Sequence, residues 1–593
     1  MSSFCLAAAQ LDKSKYITID EVKPGMDAYC LTVFEGTKIE KFGLEVLSVV
    51  HNFQPGRDAI LVQGTDERFI HTGPVAGCSG SPVYIDGRLA GALAFAWTYS
   101  KDPLYGVTPI EEMLQVGQLS EEKQNLKKAI PEPGYAFDYS KPIDFDEVEK
   151  LLSAPLYSKQ NFHSSDAALP CPLVISGLPG QVCEQVSSWF EALGLMVVPG
   201  LGTGAETFDN EGSQDENLRL VPGACLVVPL VTGDITMNAV GTVTDVQEQN
   251  VYGFGHSFLG YGAVNLPMAT GKVHTVASNI VRSFKLGSAG EIVGTLTQDE
   301  AAAVFGQIGE KPKMIPLNIT VERYNDPIKR IYNCRIVDNK IYTPRLVQST
   351  LLGASLMLGT LPPYNTIEYK VEIELENEES ISFENVSANI GPVEMLIDSS
   401  GAVALLMNNP FEKVNVRALD FNINITADNI ISHIWSVNLS DSKVKAGEEL
   451  DISVIVESFL KGKKEYQCSL KIPEQLKPGR YNLMILGSRD YQAFIRQSSP
   501  YKFTYENLET LIDSINNLLS IRSDGLHCVL VLPPAGIAVQ RAELPDLPAT
   551  KALVLQNPKR TLKAQPYMHW LEKSFTTGTI VFDKKAMSIT VEK

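Results

Sequence analysis

The sequence lacks the signatures of several function classes. It has no C-x-x-C pair, no H-E-x-x-H, no EF-hand loop and no dinucleotide fingerprint. No metal, redox centre or other cofactor is therefore expected. No apolar run reaches the roughly eighteen residues that a membrane-spanning helix needs, so no integral membrane segment is expected. Basic charge is scarce: 51 Lys and Arg stand against 69 Asp and Glu, for a formal net charge of −18. A phosphate-binding surface needs clustered cations, so nucleic acid is not an expected partner. Cysteine is sparse and odd in number, with nine residues scattered from Cys5 to Cys528. They neither demand nor exclude an oxidising compartment.

What is present is a chain of 593 residues with 44% hydrophobic and 20% charged residues, ordinary for globular protein and too long for one core. Segment 4–10 looks like the end of a secretory signal, with an apolar stretch and an alanine-rich cleavage region but without a basic start. It points to an extracytoplasmic (periplasmic or secreted) protein. From 16 to 119 the chain is β-rich, punctuated by glycine and proline, with a short helix starting after Pro109. Residues 120–168 are charged, proline-spotted and weakly periodic, and read as a linker with an amphipathic helix. A second block, 169–315, has helical spacing over 182–195, an acidic glycine-rich loop at 204–217, and strands at 224–230 and 239–246. Gly287-Ser288-Ala289-Gly290 reads as a turn. Beyond 316 alternating strands predict β-sandwich modules, divided at 316–440 and 441–593, with one amphipathic helix near 508–521.

The most informative stretch is Gly77-Cys78-Ser79-Gly80-Ser81-Pro82, followed by two short apolar strands around Asp86-Gly87. Glycines on either side of a serine let the backbone turn sharply and bring its N–H groups towards a substrate carbonyl, as a serine nucleophile requires. Asp-Gly between strands favours a type I′ hairpin. A nucleophile turn leading into a hairpin suits a β-barrel serine protease and not the α/β-hydrolase elbow, which continues into a helix. The same string is also ordinary turn composition. A second glycine-framed segment, Gly253-Phe254-Gly255-His256, supplies a histidine at the end of a strand, and histidine is the expected base for a serine. His71 is a rival base, only eight positions before Ser79.

Together these segments resemble the stage IV sporulation protein B peptidases, serine proteases of the chymotrypsin-like group. In that family the nucleophile lies in G-M-S-G-S-P, followed by a strand, a glycine-alanine run and Y-G-x-x-I-E-x-M-L. Here Ser79 is followed by Leu89-Ala90-Gly91-Ala92 and by Tyr105-Gly106-Val107-Thr108-Pro109-Ile110-Glu111-Glu112-Met113-Leu114. The family's histidine follows a G-T-x-T strand, and Gly241-Thr242-Val243-Thr244 before Gly255-His256 is similar. The resemblance implies a mainly β protein with some α, a chymotrypsin-like β-barrel core split into a serine-bearing half and a histidine-bearing half. It also implies a bacterial, extracytoplasmic serine endopeptidase acting on a restricted protein or peptide substrate, with the chain itself as one candidate. In the implied triad Ser79 is the nucleophile, His256 the base and Asp66 the acid, with Asp299 the alternative acid or else a helix N-cap. The amides of Gly77 and Ser79 would form the oxyanion hole. Two departures stand out: the histidine follows the serine here, whereas it precedes it in the family, and no PDZ module is recognisable. The permuted order, the choice between two acids and the large β-sandwich tail motivate the alternative of a catalytically inactive, protease-like scaffold or binding module of the cell envelope.

Overall fold

The computed structural model describes residues 11–97, 99–117, 134–154, 168–191, 193–200, 219–258, 260, 262–459, 461–503, 505–539, 541–545, 547–555, 557 and 564–592. Segment 4–10, the loop 204–217 and most of the linker 120–168 lie outside the described residues. The described parts fall into two compact units. The first takes in Met1–Tyr135, Leu152–Leu317 and Tyr332–Gly353; the second takes in Ala136–Leu151, Asn318–Ile331 and Ala354–Lys593. Both expected halves of the core thus belong to one unit. That unit also includes Tyr332–Gly353, beyond the expected boundary at 316.

The serine half is a closed barrel. Its strands are β1 (Asp27–Val33), β2 (Ile39–Gln54), β3 (Arg57–Gly64), β5 (Pro82–Ile85), β6 (Arg88–Ala96) and β7 (Leu104–Pro109), with β4 (Val75–Ala76) outside the ring. They close in the order β1-β2-β3-β7-β6-β5, which leaves no exposed edge. The interior is filled by alternate residues of each strand. Phe42, Phe69 and Tyr105 form its aromatic centre, with Phe69 4.8 Å from Phe42 and 5.3 Å from Tyr105 between ring centroids. Asp86 and Gly87 both take positive φ, 51° and 76°, the conformation of a type I′ hairpin. Pro109 caps the short helix Ile110–Met113. Glu112 of that helix accepts from Arg57 Nε and from Asp58 N, both at 2.9 Å, tying the end of the barrel to its β2–β3 hairpin.

The histidine half comprises β8 (Cys171–Ser176), β9 (Leu195–Pro199), β10 (Cys225–Gly233), β11 (Thr236–Gln247), β12 (Asn250–Gly253), β13 (Gly262–Ala277), β14 (Ser283–Glu300) and β15 (Ala303–Ile308). Pairing runs β11-β12-β15-β14-β13-β10 and returns to β11, a second closed circuit of six strands. β8 extends it beside β11, and β9 lies parallel to β8 after the helix Gly180–Glu191. Residues 287–290 are a correction to the sequence reading: they lie inside β14 and not in a turn. Their small side chains sit where β14 pairs with β13 through several register shifts, and such bulges take the residue types that turns take.

In the second unit the strands Thr366–Leu375, Ser380–Ala388 and Val416–Thr426 pair antiparallel. A sandwich follows, as expected. The sheet Gly462–Lys471, Glu449–Ser458, Ile431–Leu439 and Ile580–Val581 faces the sheet containing Gly479–Gly487, Gly525–Val539 and Lys584–Glu592. Ile452, Val454, Leu483, Ile485, Leu530 and Ile589 share the core between them. The helix Leu508–Leu519 matches expectation, and Asn507 caps it. The helices Tyr342–Leu356, Val393–Met407 and Ser488–Ser498 were not anticipated. Val393–Met407 buries nearly every residue from Ser399 onward, so it has no polar stripe to betray a helical period.

Candidate active site

The serine turn is built where the two halves of the first unit meet. β4 pairs parallel with β14, Val75 opposite Ser283 and Ala76 opposite Phe284. The Tyr105 hydroxyl steadies that approach by accepting from Val75 N at 3.2 Å. The chain then turns through Gly77 (φ 93°) and Gly80 (φ 91°), a backbone region that glycine enters without strain. Gly80 is required for a second reason: a Cβ there would collide with the Thr242 carbonyl and stand 2.5 Å from Phe254 N. The turn is closed by Cys78 N donating to Val75 O, Ser81 N to Cys78 O and Gly80 N to Leu93 O, at 3.1, 3.0 and 2.8 Å.

β11 holds the turn from the other side. Thr242 N donates to Ser79 O at 2.9 Å, Thr242 Oγ1 to Gly77 O at 3.0 Å and Thr244 Oγ1 to Gly80 O at 2.7 Å. The Gly241-Thr242-Val243-Thr244 segment thus does the physical work of docking the serine turn onto the histidine half. Its alternate threonines, projecting from one face of a strand, were the signal available in the sequence.

The histidine loop leaves β12 through Phe254 (φ 63°) and Gly255 (φ 69°). Thr108 of the serine barrel donates to Gly255 O at 2.6 Å. A Cβ on Gly255 would stand 3.1 Å from Ala92 and 3.3 Å from Leu93 O, so this loop lies against the same strand, β6, that receives Gly80 N. The two glycine-framed segments are in contact. Ser79 is wholly buried and His256 is 7% exposed. Neither Ser79 Oγ nor His256 Nε2 has a hydrogen-bond partner among the described residues, so the pair is not hydrogen-bonded to one another in this conformation.

His256 Nδ1 lies 2.8 Å from Ser257 O. With the proton on Nδ1, donated to that carbonyl, the lone pair of the neutral ring is on Nε2. Burial lowers the His256 pKa below its usual value; the charge of Arg57 lowers it further, and the Ser257 carbonyl opposes both.

The two carboxylates play different parts. Asp299 is buried on β14 and accepts from Phe258 N at 2.6 Å and Gly260 N at 2.9 Å. It pins the backbone just beyond His256 and does not cap a helix. Asp66 caps the helix Glu67–Thr72, accepting from Arg68 N at 2.9 Å, and holds Arg68 Nε at 3.0 Å. The Arg68 guanidinium keeps its carboxyl below the usual carboxylate range. His71 is exposed on the same short helix. A serine hydroxyl that does approach a histidine belongs to the second unit: Ser488 Oγ is 3.3 Å from His527 Nε2. It is already committed as a donor to Arg522 O at 2.5 Å.

The comparisons bear on the serine half. A family model described as SpoIVB peptidase S55 matches residues 7–114. Over this stretch the chain is similar to the SpoIVB peptidases. The matched stretch runs from before β1 through the Ser79 turn to the end of the helix Ile110–Met113, and it stops well short of His256. The SpoIVB-peptidase segment therefore carries the whole first barrel, and a serine peptidase of the SpoIVB kind is the activity the match supports. No curated protein and no solved structure matches the chain. Among the described residues no helix is long and apolar enough to cross a membrane.

Proposed function

We propose that the protein is a serine endopeptidase that cuts a restricted protein or peptide substrate outside the cytoplasm, with Ser79 as nucleophile and His256 as base. The observation that carries this reading is the meeting of the two glycine-framed loops, with Ser79 Oγ and His256 Nε2 both buried and unpartnered. Unpaired buried polar atoms are costly and cluster at functional sites. In the reaction Ser79 Oγ attacks the peptide carbonyl while its proton passes to His256 Nε2. The tetrahedral intermediate then expels the amine, which takes that proton, and water repeats the sequence to free Ser79. Three amides of the turn, those of Cys78, Gly80 and Ser81, already have internal acceptors. We assign the developing oxyanion to the amides of Gly77 and Ser79. The Ser257 carbonyl fixes the imidazole tautomer, and Asp299 acts on the histidine side by holding the loop. Asp66, bound to Arg68, steadies the short helix after β3.

A second reading, a protease-like scaffold without turnover, is favoured by the full burial of Ser79 and by its missing bond to His256. Apo catalytic pairs often tighten only when substrate binds, so one experiment separates the two. The folded protein is treated with a fluorophosphonate and the labelled peptide mapped. Labelling at Ser79, lost in Ser79→Ala and in His256→Ala, is the expected result. A folded sample that shows neither labelling nor cleavage of any offered protein, itself included, leaves the scaffold.

A further inference from the structure

Lys285 is completely buried on β14, yet among the described residues no carboxylate lies within ion-pair distance of it. Its Nζ donates instead to two hydroxyls, Thr32 Oγ1 at 2.7 Å and Thr242 Oγ1 at 3.1 Å. Its stem lies against the serine turn: a Cβ on Gly77 would stand 3.2 Å from Lys285 Cβ and Cδ. Thr242 links the ammonium to the turn, since its hydroxyl goes on to Gly77 O and its amide holds Ser79 O. The Cys78 thiol, beside Ser79 in sequence, is the next acceptor of the Thr32 hydroxyl, at 3.9 Å.

An ammonium buried without an anion carries a desolvation penalty of several kcal/mol. Methionine would fill the same space without it. Packing therefore does not account for a lysine at this position, and the anion it lacks at rest is formed during acyl transfer. We propose that Lys285 is a positioning residue of the peptidase: an ammonium beneath the Gly77–Gly80 turn that holds the turn through Thr242 and counterbalances the negative charge arising at Ser79 and the oxyanion. This rests on the reading of Ser79 as nucleophile. The charge is fixed before reaction, in a site from which water is excluded, where its field is strongest. β14 then serves both partners of the site, with Lys285 under the serine and Asp299 beneath the histidine loop.

The test compares fluorophosphonate labelling rates at Ser79 across pH, with melting temperatures, for the wild type, Lys285→Met and Lys285→Arg. Lys285→Met is expected to label at least about tenfold more slowly while its melting temperature holds or rises, because a buried unpaired charge is gone. The acid limb of the profile, set by His256, is expected to stay in place. Lys285→Arg, if folded, is expected to recover part of the rate. A merely structural lysine would lower rate and melting temperature together. Unchanged labelling in folded Lys285→Met overturns the proposal while leaving Ser79 as nucleophile. Absence of labelling in the wild type overturns both. Should Lys285→Met fail to fold, Thr32→Val leaves the ammonium but removes one of its two acceptors. Labelling slowed several-fold in that folded variant supports the proposal, and an unaltered rate rejects it.

Discussion

Gly80 combines two demands that no other residue meets. Its φ of 91° strains any side chain, and a Cβ would collide with the Thr242 carbonyl. Gly80→Ala is expected to cost about 3 kcal/mol or more of stability, read as a shift in the denaturant midpoint, and to abolish labelling of Ser79 by forcing the turn away from β11. His256 sets a second expectation. Because burial lowers its pKa, the imidazole stays neutral, and able to accept a proton, below the pH at which an ordinary histidine is charged. The labelling rate should therefore persist into mildly acidic solution. A plot of rate against pH whose midpoint matches a free histidine would contradict this. The same depression makes neutral His256 a stabilising group above the unfolded histidine pKa, and that contribution is lost as pH falls through the folded value.

At the scale of elements, the helix Val393–Met407 carries two carboxyls with raised pKa values. Burial, and then the charge of Asp398, pushes Glu394 up to about 7. Burial pushes Asp398 up to about 6, against the hydrogen bonds it accepts from Tyr369 at 2.7 Å and from Asn385. Carboxyls protonated more readily in the folded state stabilise it below their unfolded pKa, and that contribution disappears as pH rises through about 6 and about 7. The melting temperature is expected to fall across that interval, and Glu394→Gln should flatten the dependence. An equal slope in wild type and Glu394→Gln would rule out this carboxyl as its source. Helices of this kind were also the elements hardest to read. Val393–Met407 and Tyr342–Leu356 are buried on almost all sides, so neither sequence shows the polar face that revealed 508–519. In the first barrel the strands and the Asp86-Gly87 hairpin leave marks on local composition, whereas in the second only β10 and β11 read as strands, and residues 287–290 of β14 read as a turn.

At the scale of the whole molecule, the same distinction governs the site. Ser79 and His256 were visible because glycine frames each of them. Thr242, Thr244, Thr108 and Lys285, which hold the two loops, stand on strands whose neighbours are set by a pairing more than a hundred residues away in sequence. The Gly241-Thr242-Val243-Thr244 string marked two of them, but no local pattern showed which loop they would hold. Asp299 was visible as an alternative acid or a helix cap; it lies within β14, where it caps no helix, and accepts from Phe258 N and Gly260 N. The division into barrel and sandwich followed from alternation, whereas the assignment of Tyr332–Gly353 to the first unit follows from its contacts.

The order of the two barrels has a consequence for biosynthesis. Along the chain the first barrel, with Ser79, is complete at Pro109, well before β12 and the loop that carries His256. On the proposed mechanism, a chain in which only the first barrel has folded carries Ser79 without His256, and cleavage waits for the second ring of strands to form.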